Sequence, residues 1–205
     1  MDRFGPMMVW SASWKGLSNR DPDGSISPNW PARITSLVLP ALAMALVVIT
    51  KTRLSNDAAG AIVTAGALVA GALLSAFGLL AAWRERLTDR EGQYPIHDRP
   101  ARDMIDEGVA HILEAVRESV VVAALGVVLW VLPESDHGKV WLVAGIIVST
   151  ALLGLAVHVA VLFGFLTNQL YAGYDLRNRI RPRLSGREKV LKPERRSSQR
   201  PSIRP

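Results

Sequence analysis

The sequence predicts an all-α integral membrane protein: four transmembrane helices in two helical hairpins, both termini cytoplasmic, and the third helix extended into the cytoplasm. Two features predict this class. Four long apolar stretches interrupt a chain of 205 residues that is otherwise rich in Arg. Of its 24 Lys and Arg, 21 lie in alternate segments between those stretches. An evenly mixed globular core would not divide its composition into such blocks. The expected segments are a cytoplasmic N-terminal stretch (1–33), a first transmembrane hairpin (34–83), a cytoplasmic connector with an amphipathic helix (84–118), a second transmembrane hairpin (119–170) and a basic, partly disordered tail (171–205).

The first thirty-three residues contain no apolar run long enough for a cleavable signal, so the first span is expected to act as an uncleaved anchor. That span is 34–50, ITSLVLPALAMALVVIT, about 25 Å long at 1.5 Å per residue. Pro40 removes one backbone donor near its start, which predicts a mild kink covered by a neighbouring helix. After a turn in which Ser55, Asn56 or Asp57 can cap the next helix, residues 58–83 carry no charge and form the clearest span. Along it, Gly60, Thr64, Ala67, Gly71, Ser75 and Gly78 recur every three or four residues, a spacing that lets helix backbones approach in lipid. This stripe is read as a packing seam. A pore lining is the sharper alternative.

The connector holds Gly92, Pro95 and Pro100, so the second helix should end before Gly92. From Asp103, Ile105, Val109, Ile112, Leu113 and Val116 fall on one helical face and Asp103, Glu107, His111, Glu114 and Glu118 on the other. The acidic stripe is expected to be a solvated cytoplasmic face. Its helix merges into an apolar run over 120–132, too short to span alone, so bilayer entry is expected near 117–119. A turn at 133–138 leads to the fourth span, 140–166, with Trp141 at one interface and Tyr171 and Tyr174 at the other. Lys and Arg number four before the first span, six in the connector and eleven in the tail, against three in the two short turns. The positive-inside rule therefore places the turns outside.

Composition also excludes. With no cysteine, disulfides, thiol catalysis and Cys-ligated zinc are ruled out. No G-x-x-x-x-G-K-[ST], G-x-S-x-G or H-E-x-x-H motif is present, and neither an enzyme nor a cofactor is expected. The net charge of +6 reads as topology charge facing anionic headgroups, and no nucleic-acid partner is expected. Arg177, Arg179, Arg181 and Arg183 begin the tail and either bind lipid, the preferred reading, or dock on the acidic stripe.

His158 is the one conventionally ionisable side chain inside a span. It suits a proton relay or pH gate. The plainer reading is a neutral imidazole bonded to a backbone carbonyl, Ser75 or Thr64. Glu107, His111 and Glu114 have helical metal-ligand spacing, but no other helix supplies a matching set, so no metal is expected. The function expected first is a non-enzymatic scaffold or interaction subunit of a bacterial inner membrane, oligomeric or part of a membrane complex. The alternative is an oligomeric pore or channel former, effector or holin-like, that permeabilises its membrane. A secondary transporter is disfavoured because no span is broken at its midpoint.

Overall fold

The computed structural model describes residues 6–20, 26–89, 99–133 and 138–178. They form α1 (Pro6–Gly16), a two-stranded antiparallel ribbon of β1 (Ser18–Arg20) and β2 (Ile26–Pro28), and then α2 (Trp30–Thr50), α3 (Asn56–Asp89), α4 (Arg99–Val131) and α5 (Lys139–Asn178). Apart from the ribbon, which pairs Ser18 with Pro28 and Arg20 with Ile26, the structure is helical.

Local chemistry explains the helix ends. The Asn29 side chain accepts from the Ala32 amide at 3.3 Å, and Pro31 stands in the first turn, where an N–H would have no helical acceptor. α2 then runs unbroken through Pro40 and ends at Lys51, whose φ of 50° is the left-handed conformation more often given to glycine. The Ser55 hydroxyl accepts from the Ala58 amide at 3.2 Å and starts α3. At the end of α4 the cap comes from elsewhere: the Arg53 guanidinium donates to the carbonyls of Leu129, Leu132 and Pro133. The α2–α3 turn and the α4–α5 turn therefore lie at the same end of the bundle.

Packing follows a seven-residue rhythm. In α4, Ile105, Gly108, Ile112, Ala115, Ser119, Val122, Gly126 and Leu129 alternate by three and four, and all are buried. In α3 the buried Ala59, Leu73, Leu80 and Leu87 stand at multiples of seven, as do Gly145, Leu152, Val159, Leu166 and Gly173 of α5. Apolar or small residues at this spacing keep one seam facing a partner helix along its whole length. Two apolar clusters result: Leu73, Leu80, Ile105, Ile112, Leu162 and Leu166 towards the α1 end, and Ala59, Val122, Leu129 and Leu152 towards the capped end.

α3 lies antiparallel to α4, with Leu80 beside Gly108 and Val63 beside Gly126. Antiparallel to α5, α2 brings Ser36 next to His158 and Met44 next to Gly154. The first expected hairpin accordingly does not pack as a hairpin, because α2 rests chiefly on α5 and α3 on α4. The cause is the seam: the heptad face of α3 is complementary to α4, while α2 buries only Ser36, Pro40 and Val47.

Three helices are long and apolar enough to cross a membrane: Trp30–Thr50, Asn56–Thr88 and Lys139–Tyr174. α4 is not among them, because Glu114, Arg117 and Glu118 fall within its last eighteen residues.

Candidate functional site

Trp10, Ser13 and Trp14 of α1 and Leu17 just after it recur at helical spacing, and of these Ser13 and Leu17 are buried while Trp10 stays exposed. Ser13 is 2% exposed and Leu17 5%. Arg33 of α2 holds the end of α1, its Nε donating to the Leu17 carbonyl at 3.1 Å while its guanidinium lies 5.2 Å from the centre of the Trp14 ring. Trp10 and Trp14 stack at 6.0 Å.

The face of α4 that receives α1 is the acidic stripe. His111, Glu114 and Glu118 are 1%, 2% and 8% exposed, so the expected solvated face is buried. The Ser13 hydroxyl lies 2.7 Å from His111 Nδ1 and is also hydrogen-bonded to Glu114. With Glu114 as a carboxylate, which only accepts, the Ser13 proton would point to it and His111 Nδ1–H would donate to Ser13. That order puts the proton of a neutral His111 on Nδ1. His111 Nε2 is buried with no hydrogen-bond partner, and Glu107 Oε1 stands 3.8 Å from it. Glu107 is partly exposed, and the side chain of Asp103 is outside the described residues.

His158 meets this stripe from α5. Its Nδ1 is 2.7 Å from Glu118 Oε2, and its Nε2 is 3.4 Å from the Ser36 hydroxyl of α2. The contact gives each of these two ionisable groups a hydrogen-bond partner inside the apolar bundle, which offsets part of the cost of placing them there. Ser75 and Thr64, the partners expected for this imidazole, are exposed on α3 and donate to the Gly71 and Gly60 carbonyls of their own helix.

Between α1, α2 and α5 lies a cavity of about 350 Å³. Its walls include Trp10, Trp14, Leu37, Met44 and Leu155, and Ser13, Ser36, Glu114 and His158 supply its polar groups. No family model, curated protein or solved structure matches this chain. What can be assigned rests on the geometry.

The remaining expected sites separate. Gly60, Thr64, Ala67, Gly71, Ser75 and Gly78 are exposed, and a Cβ built on Gly60, Gly71 or Gly78 meets nothing within 4 Å. The stripe is thus not a seam within one chain, since the α3 face that packs on α4 is the neighbouring one. Among the described residues, no group of three His, Cys, Asp or Glu is placed to hold a metal ion. Arg179, Arg181 and Arg183 lie outside the described residues, as does the side chain of Arg177, whose backbone belongs to α5. α1 already covers the stripe on which this tail was an alternative docking segment.

Ser13, Ser36, Trp10, Trp14, Arg33 and Arg53 were not foreseen as site or tethering residues. The spacing of Trp10, Ser13, Trp14 and Leu17 was the available signal for α1. Nothing local marks Ser36, whose imidazole partner is 122 residues away, or the capping role of Arg53, whose carbonyl partners at the end of α4 are 76 or more residues away.

Proposed function

We propose that this protein is a non-enzymatic scaffold or interaction subunit that crosses a bacterial inner membrane four times, with both termini in the cytoplasm. The closed interior carries this reading. On the α1 side His158 pairs with Glu118 while His111 and Glu114 are bonded to Ser13, and Ala59, Val122, Leu129 and Leu152 fill the bundle towards the opposite end. Among the described residues, that interior offers no continuous polar path for an ion through a single chain.

The fourth crossing is α4. Two of the three charges that lower its hydropathy, Glu114 and Glu118, turn inward to Ser13 and His158, so its lipid-facing surface is more apolar than its composition. The charge partition of 21 to 3 supports the cytoplasmic placement of the α1 end. One of the three exceptions, Arg53, is engaged on the α4 terminus.

Self-association of the scaffold would use the outward stripe of α3 from Gly60 to Gly78. The same stripe favours the second reading, an oligomeric pore whose wall is built between copies.

Two measurements test this. Single cysteines placed at Thr52, Gln93 and Ser185 of this cysteine-free chain should react with an impermeant maleimide in intact cells only at position 52. Labelling at 93 would overturn the topology. Strong induction should leave the membrane potential intact by a potential-sensitive dye, and depolarisation would replace the scaffold with the pore.

A further inference from the structure

We infer that the cavity between α1, α2 and α5 is a binding site for a lipophilic cation, a hydrophobic quaternary or protonated amine or phosphonium, seated against Glu114 and the Trp10–Trp14 pair. The donor and acceptor inventory selects the charge. With Glu114 as a carboxylate, the hydroxyl and imidazole groups at the cavity have protein partners: His111 Nδ1 with Ser13, Ser13 O–H with Glu114, His158 Nδ1 with Glu118 at 2.7 Å, and the Ser36 hydroxyl with His158 Nε2 at 3.4 Å. Acceptors remain. A carboxylate offers about four lone pairs, of which Ser13 takes one at Glu114. Pro40 has no N–H, so the Ser36 carbonyl lacks its helical donor beside the same cavity.

The aromatic wall agrees with that sign. Indole faces attract cations; Arg33 takes one face of Trp14, and Trp10 brings a second indole to the cavity wall. Leu37, Met44 and Leu155 provide apolar surface for the body of the ligand. An anionic amphiphile would meet Glu114, 2% exposed, with no free hydroxyl or imidazole donor to offset the repulsion.

The experiment uses the full chain in nanodiscs of neutral phosphatidylcholine, titrated with radiolabelled tetraphenylphosphonium and, separately, with tetraphenylborate, an anion of the same shape. Saturable tetraphenylphosphonium binding above empty discs is expected, with tetraphenylborate showing none. Glu114→Gln, isosteric and still able to accept from Ser13, should weaken binding about tenfold or more. Ala151→Phe, which fills the cavity from α5, should abolish it, and Asp57→Asn at the far end should leave it unchanged. Equal binding of the two ions, unchanged affinity in Glu114→Gln, or no saturable binding by the unmutated protein would each overturn the inference. The two-ion comparison on unmutated protein holds even if a variant fails to fold.

Discussion

Arg53, in the turn after α2, donates to the carbonyls of Leu129 and Leu132 at 2.8 and 3.0 Å and so closes the C-terminus of α4. The last turn of a helix leaves carbonyls without amide partners and carries partial negative charge, so a cation with several donors in a fixed plane suits it. Room for that side chain comes from Gly145 of α5, where a Cβ would lie 2.8 Å from Arg53 Cδ. One cationic side chain thereby joins the two turns and α5.

Removing it should cost more than an exposed ion pair would. Arg53→Ala is expected to lower unfolding free energy in detergent by about 2 kcal/mol, because three carbonyls lose a charged donor together. Arg53→Lys should recover only part of this. Gly145→Ala should act by displacing the same side chain, so Arg53→Ala/Gly145→Ala should be little worse than Arg53→Ala. Additive losses in a double-mutant cycle would show that Gly145 acts independently.

The His158–Glu118 pair gives a second cycle. His158→Ala leaves a buried carboxyl without its partner and should destabilise by about 3 kcal/mol. Replacing both by Leu should cost clearly less, since no ionisable group is then left alone. If the double replacement is the more damaging, the pair contributes something beyond mutual neutralisation.

Ser13→Ala should loosen α1 without unfolding the bundle. The substitution breaks the His111–Ser13–Glu114 chain, leaving two buried groups to find other partners, at a cost of about 1–2 kcal/mol. Faster amide exchange confined to residues 6–17 is the expected readout. Uniform acceleration through α4 and α5 would mean that α1 is integral to the bundle.

Two glycines separate internal packing from the outward stripe. At Gly126 a side chain would collide with Val63, so Gly126→Leu should destabilise the monomer strongly. Gly71→Leu meets open space and should leave monomer stability within about 0.5 kcal/mol, while weakening self-association seen by mass in nanodiscs. A monomeric unmutated protein at every concentration would remove the stripe from any interface.

Hydropathy and charge alternation made three membrane-length helices legible, with starts within four residues of those observed, although α5 continues to Asn178, well past the expected end at 166. What they could not convey is which face of each helix is inward. The small-residue stripe Gly60–Gly78 was the conspicuous pattern on α3, yet the packed positions are 59, 73, 80 and 87, one register over. A search for period seven, in place of small residues alone, would have found them, since Ile105, Ile112, Val122 and Leu129 repeat the rhythm on α4. The acidic stripe misled for a related reason: charged residues on one helical face normally mean water, and here a short N-terminal helix supplies Ser13 as partner. Glu118 and His158 could not be paired from sequence, because forty residues and a turn separate them.

The placement of α2 against α5 bears on synthesis. Ser36 and His158 are 122 residues apart, and at about 5–20 residues per second roughly 6–24 s pass between their emergence from the ribosome. Throughout that interval α2 is in the bilayer without the helix on which it finally rests, and its buried edge of Ser36, Pro40 and Val47 faces something else. Assembly therefore ends with the last helix, which must insert beside a waiting first one. Chains ending before α5 should leave the Ser36, Pro40 and Val47 edge of α2 uncovered.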